Sequence, residues 1–568
     1  MEEADMKLFK LFVIIAALAF AACSSAEISE NGSESSPDEE LVKRAGAPLF
    51  EGMGKFTRKI STKDPGAQRY FDQGMVLAFG FNHAESIRSF KAAQKLDDNC
   101  AMCYWGEALA TGPNINVTSN GKPIMSDDEK KNAWSALSKA IDRKANATQT
   151  EKDFIDALAK RYSENIDDER EPLDRAYADA MRDLYKEYPE DDEAATLFAE
   201  ALMDTMPWDY WLGDGRAKPE TTEVLDTLEM VIKRSPEHPL ALHLYIHAVE
   251  ASEEPGRAEK VADTLANLVP GSGHLVHMPA HIYWRVGRYN DASEANVRAA
   301  NVDEDYIAQC NAQGFYPAAY YPHNIHFLWA ASSMEGRSEL AIDSARRVAR
   351  AVKVEQIKEF PTVEFFKTIP ILALVQFGKW DEILAEPEFP ENFDYSNAIR
   401  NYARGVAYSR KGDLEKARRE GEGISAAMKT VTVTFMDKND YPATELLKIA
   451  DDLLKGEIAM AEERFPEAVA SFQAAVERQD KLPYMEPPFW YYPTRQSLGI
   501  ALLESGQHAK AEAVYKKDLE IYPHNGWSMY GLIQSLEAQN RSDEAAEVRK
   551  MFDMVWQNAD IKLGSSRL

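Results

Sequence analysis

One spacing recurs along this chain and restricts its fold more than any other feature. A glycine is followed twelve positions later by a second small residue, four further on by an aromatic, and three beyond that by another small residue. Gly74, Ser86, Phe90 and Ala93 follow it, as do Gly456, Ala468, Phe472 and Ala475. Gly499, Ala511 and Tyr515 repeat most of it, with Leu502 and Pro523 at related offsets, and Gly405, Tyr408, Gly412 and Ala417 carry a partial copy. Small residues at such offsets let two helices touch, while the large ones fill the gap beside them. Apolar residues at helical spacing occupy the intervening stretches, as in Phe154 to Tyr162, Leu173 to Tyr188 and Glu193 to Met203. Turn-bounded runs of alternating β-branched residues are nearly absent, Thr430 to Phe435 being the nearest candidate strand.

With Tyr70 and Leu77 completing the first copy and Asn540 and Ala545 in the last, the pattern resembles the tetratricopeptide repeat. That resemblance implies an all-α fold, a right-handed α-solenoid of about eleven helix pairs with several loop insertions. A hydrophobic content of 45% with 28% charged residues is ordinary for a packed core. Lys and Arg number 65 against 93 Asp and Glu, a net charge of −28, so the long-range field repels phosphate backbones and no nucleic-acid partner is expected.

The N-terminus reads as an address. Lys7 and Lys10 precede an apolar run from Leu11 to Phe20, and Ala21-Ala22-Cys23 resembles the lipobox of bacterial lipoproteins, with Cys23 as the lipidated residue. A soluble secreted protein cut near the same place is the alternative. The expected organisation is a signal peptide over 1–23, a polar tether over 24–48, N-terminal repeats over 49–236, a histidine-rich section over 237–356 and C-terminal repeats over 357–568. After cleavage no apolar run is long enough to span a bilayer, which leaves the lipid as the anchor and places the protein in the bacterial cell envelope, facing the periplasm or the cell surface.

Four insertions break the repeat: Gly112 to Ser126, Met206 to Pro219, Tyr306 to Tyr321 and Lys481 to Pro493. They are rich in Asn, Pro and aromatics, as in Trp208-Asp209-Tyr210-Trp211 and Pro487-Pro488-Phe489-Trp490-Tyr491-Tyr492. Such loops either dock back on the helices as local cores or carry function, because the solenoid itself does not need them.

The histidines concentrate in three consecutive units. Placing Ala258 and Pro270 at repeat positions 20 and 32 starts one unit at Pro239, and Ala292 starts the next at Gly273. His243 and His247 then hold positions 5 and 9, as do His277 and His281 one unit later, while His274 falls at position 2. A third unit starting at Pro322 puts His323 and His326 at positions 2 and 5. In the family these positions line the concave groove. Residues four apart on a helix lie about 5–6 Å from each other, so each H-x3-H pair suits one transition-metal ion, with His243, His247, His277 and His281 as its ligands. Glu250, Asn324, Tyr283, Trp284 and Met278 lie close enough in sequence to complete such a site. Without a metal the same imidazoles bond between helices, or bind carboxylates once protonated. His83, His508 and His524 fall at turns and read as surface residues, and His238 is a weaker candidate.

No zinc-protease motif, phosphate loop or nucleophile elbow is present, and no reaction follows from the histidines themselves. Cys100 and Cys103 at a helix start read as a disulfide or as two small buried residues, leaving Cys310 unpaired. The stretches Cys100 to Glu107, Gly273 to His281 and Asn525 to Ser528 resemble those of exported bacterial tetratricopeptide-repeat lipoproteins. Two readings follow. The first is a lipid-anchored scaffold presenting its groove to a protein or peptide partner in the envelope. In the second, that groove, formed by His243, His247, His274, His277, His281, His323 and His326 with Tyr283, Trp284 and Glu250, holds a metal ion or small ligand. Folding of the Tyr306 to Tyr321 insertion over the histidines favours the second, with Trp284 and Tyr320 as pocket walls.

Overall fold

Phe90 shows why the small-to-aromatic spacing exists. In the computed structural model, which describes residues 36–117, 125–310, 312, 314–359 and 361–568, this ring lies between two glycines of neighbouring helices. A Cβ added to Gly74 would come within 2.8 Å of the ring, and one added to Gly106 within 2.3 Å. The helix Pro65–Phe79, its partner His83–Leu96 and the next unit's Ala101–Thr111 are thus locked together by one buried side chain. Tyr515 repeats the arrangement between Gly499 and Gly531, and Phe472 packs on Gly456. At Gly405 the partner is Leu454, which explains why that copy of the pattern lacks its aromatic.

The result is an all-α solenoid of antiparallel helix pairs, matching the expected fold. Asp127–Asp142 completes the second pair, and later pairs include Asp394–Arg410 with Leu414–Ala427, Ala443–Ala461 with Phe465–Gln479, and Gly526–Ala538 with Ser542–Val555. Among the described residues there is no strand; the nearest candidate lies in the helix Val431–Lys438, where Thr430 accepts a hydrogen bond from the Val433 N–H and caps the first turn. Disulfide-bonded Cys100 and Cys103 are both buried, and Cys310 is free. None of the described helices is long and apolar enough to cross a membrane.

The chain divides into two units, residues 1–48 and 49–568. Cys23 and the signal segment lie outside the described residues. Within the first unit, Pro37–Ala45 is a helix with a Ser36–Glu39 capping box, where a flexible tether was expected.

Within the second unit the superhelix closes on its own middle. From the N-terminal side, Gly271 N–H donates to Gly52 O at 2.9 Å, and Phe79 and Phe81 reach the helix Pro239–Glu250. From the C-terminal side, the buried Trp527 donates its indole N–H to Ser333 O at 2.9 Å, and the Asp560 carboxylate accepts the backbone N–H groups of Ser338 and Glu339 at 2.8 and 2.9 Å. Gly336, at φ +72°, lies directly under Trp556. The expected open groove at the histidine-bearing units is therefore covered.

Candidate metal centre

The helix Pro239–Glu250 is buried on every face, which explains a sequence apolar all the way round except for His243, His247 and Glu250. Pro239 starts it, and His238 caps it by accepting the Ala241 N–H at 3.2 Å, a structural role. The next unit's first helix is split into Gly273–His277 and Pro279–Arg285, since Pro279 has no N–H to continue the ladder. Gly273 is required by close approach: a Cβ there would lie 1.9 Å from Asp303 Oδ1. Tyr321–Met334 brings His323.

These three elements place six of the seven predicted histidines in one cluster. His243, His247 and His274 form one trio, and His277, His281 and His323 a second; in each, the candidate ligand atoms lie within 4.8 Å of one another. Ring centroids are 4.8 Å apart for His243–His247, 4.9 Å for His243–His274, 4.7 Å for His277–His281 and 4.8 Å for His277–His323. Glu250 joins the trios, with Oε1 2.7 Å from His247 Nδ1 and Oε2 2.5 Å from His281 Nδ1. Glu486, from the Lys481 to Pro493 insertion, also reaches His281 Nδ1.

The hydrogen bonds fix which nitrogens are available. Asn296 donates to Ala292 O at 2.8 Å, so its Oδ1 faces His277 Nδ1 at 2.6 Å and accepts a proton from it. His281 Nδ1–H is likewise committed to carboxylates. The two Nε2 atoms, 2.7 Å apart, then meet lone pair to lone pair unless a cation lies between them. That cation is a proton on His281 or a metal ion. Burial opposes charge on His281, yet Glu486 and then Glu250 outweigh it and hold the ring up at about 10. Burial raises Glu486 itself to about 8, with Glu250 adding to the effect and His281 opposing it. Burial, then the charge of His281, lowers His247 and His323 to about 3; burial and neighbouring imidazoles push His243, His274 and His277 well down. Neutral imidazole is the form that ligates metal.

All four insertions converge here. Asn116, from the first, accepts the Trp208 indole N–H at 3.1 Å and donates to Tyr320 OH at 3.0 Å. Trp208, from the second, packs edge-on against His247 at 5.1 Å and is 45% exposed, so it forms the outer rim. Tyr320, from the third, packs on His274 at 4.9 Å, the folding-over that favours a closed pocket, and Tyr316 OH accepts the His274 N–H while donating to Asp303. Phe81, at φ +55°, and Phe327 supply apolar floors against His243 and His281.

Three predicted residues lie elsewhere. His326 points into aromatic packing with Trp329, Phe365 and Phe366 rather than toward the other six histidines. Tyr283 donates to Asp263 and carries Arg288 on its ring, on the far side of its helix, and Trp284 packs behind Phe327 against Tyr289 rather than walling a pocket over the histidines. Asn324 donates to Asp303, and Met278 is buried at the helix break. His83, read as a surface residue, is half-buried and bonds to Asn114 of the first insertion. Glu486, Asn296 and Phe81 were not foreseen; the one signal was that Glu486 is the lone acidic residue between Lys481 and Pro493.

Comparison with protein-family models and with curated proteins found no match. Among solved structures the chain is similar to human IFIT1 in a dimer with m7Gppp-AAAA, at 11% identity over 75% of this chain and 87% of that one, TM-score 0.32. It is also similar to the APC/C hetero-tetramer Cut9–Hcn1, at 12% identity over 90% and 77%, TM-score 0.27. Yeast Tom70 follows at 11% identity over 87% and 93%, TM-score 0.26. Scores at this level carry no argument about site or partner, and the fold assignment rests on the helix pairs described above.

Proposed function

We propose that this repeat protein binds a transition-metal ion at His277, His281 and His323, inside a superhelix closed by its insertions, and acts through that ion on a small molecule entering past Trp208. The observation that carries the reading is the pair of Nε2 atoms on His277 and His281, 2.7 Å apart with both Nδ1 hydrogens already committed. Asn296, Glu250 and Glu486 orient these rings as outer-shell partners do in metal sites, raising ligand basicity. Three imidazoles without thiolate suit zinc, copper, nickel or ferrous iron.

In this reading the solenoid is a scaffold that encloses a ligand rather than an exposed groove for a peptide. The proposal retains export and a lipid anchor at Cys23, supported by the signal features and by the Cys100–Cys103 disulfide, a bond that persists in oxidising compartments. The test is metal analysis of the mature chain purified without a histidine tag, beside a His277→Ala/His281→Ala variant. At least one equivalent bound by the parent and lost by the variant is expected, together with a fall in Tm on chelation. A parent that carries no metal and acquires none from zinc, copper, nickel or ferrous iron overturns the reading.

A further inference from the structure

The trio of His243, His247 and His274 is not needed by a single ion at His277, His281 and His323, yet it is equally enclosed and its bonding is left incomplete. His243 Nδ1 lies 2.6 Å from the carbonyl oxygen of Phe79, which only accepts, so Nδ1 carries the hydrogen and Nε2 presents a lone pair. His247 Nδ1 faces Glu250 Oε1, so its Nε2 is also a lone pair, and that atom is buried with no partner. His274 sets Nε2 3.2 Å from His243 Nε2 and leaves Nδ1 buried without a partner. Buried polar atoms are rarely left unpaired, and each such atom costs about 1–3 kcal/mol. Here two occur in one trio, under the rings of Phe81, Tyr320 and Trp208.

Resting on the metal-binding reading above, we infer that this trio holds a second ion, making the centre a two-metal site with three histidines per ion. The two ions would be neighbours: His247 and His281, from different trios, have ring centroids 5.6 Å apart, and His274 and His277 are 5.8 Å apart. Glu250 gives one oxygen to each of His247 and His281, so orienting one trio orients the other. Copper fits foremost. The affinity order of divalent ions peaks there, the donors are all imidazoles, and both orienting carboxylates act on ring hydrogens rather than on the ions.

The test is titration of the metal-free mature chain with Cu(II), read by metal analysis and by electron paramagnetic resonance. Two equivalents are expected, with the spins coupled so that the signal of the fully loaded protein is broadened and falls below that of two isolated ions. His243→Ala/His274→Ala is expected to bind one equivalent with an isolated-ion signal, and His277→Ala/His281→Ala to do the reciprocal. Saturation of the parent at one equivalent overturns the second ion while leaving the single-ion reading standing, and saturation at none overturns both. Two equivalents with uncoupled, unbroadened spins also overturn the pairing. Because the parent's stoichiometry decides by itself, a variant that fails to fold does not rescue the inference.

Discussion

Replacing Glu486 by Gln probes the candidate centre at its most informative atom. Glu486 is buried and reaches Nδ1 of His281, whose Nε2 faces His277. In the metal-free protein the carboxylate stabilises one positive charge, the proton held by His281. A divalent ion displaces that proton, so binding raises the charge it faces by one. A carboxylate on one side of an imidazole and an ion on the other are roughly 6–7 Å apart, and at an effective dielectric constant of about 20 one unit charge is worth about 2.5 kcal/mol there. That corresponds to about 60-fold, inside the 10–100-fold range typical of outer-shell substitutions. Gln keeps an acceptor for the Nδ1 hydrogen and nearly the same volume, so packing is preserved and the charge alone is tested. Competition of Zn(II) against a chromophoric chelator at pH 9, where Glu486 is ionised and His281 still holds its proton, is therefore expected to give a 10–100-fold weaker Kd for Glu486→Gln, with Tm of the metal-free protein shifted far less. An unchanged or tighter Kd would refute the role given to Glu486, because a site governed by proton competition alone would gain affinity when His281 loses its counter-charge.

Three further predictions concern the fold. Gly106→Ala drives a methyl into Phe90 and is expected to cost about 1–3 kcal/mol, seen as a lower midpoint in urea; an unchanged midpoint would show that the ring is free to shift. Trp527→Ala removes a fully buried indole and its bond to Ser333 O, with an expected loss of about 3–5 kcal/mol and easier proteolysis between the middle and last repeats. Asp518 is buried, which raises its carboxyl to about 7 against the partial relief of the Ser528 hydroxyl. Below about pH 4 it is protonated in both folded and unfolded chains. Between about 4 and 7 only the folded chain keeps the proton, so this group subtracts stability as pH rises through that window, and above 7 the loss is complete. Tm measured from pH 4 to 8 is thus expected to rise for Asp518→Asn relative to the parent as pH increases, and a constant difference would contradict the assignment.

What was legible in the sequence is what repeats. Gly74, Phe90 and Gly106 encode a contact between adjacent helices at short separation, and the same offsets reappear at Gly499, Tyr515 and Gly531, so the fold class could be read without any coordinates. The histidine frame was legible for the same reason: helical spacing and a constant repeat length put His243, His247, His277 and His281 on matching faces. His326, at position 5 of its unit, instead turns toward Phe365 and Phe366, which come from a later segment that helical spacing does not record. Tyr283 follows His281 too closely on a helix to share its face, and Trp284, three residues on, is taken up by packing against Phe327 and Tyr289.

The sequence alone therefore determined the helix pairs, their register and the clustering of imidazoles, since each depends on contacts between residues a few tens of positions apart. Tertiary structure decided what closes the centre. Phe79 and Phe81 come from the first pair, Asn116, Trp208 and Tyr320 from three separate insertions, and Glu486 from more than two hundred residues beyond His281. No local periodicity records such meetings. They arise because the solenoid curves until its ends cover its middle, and the cumulative angle of many helix pairs sets that curvature, not any single motif.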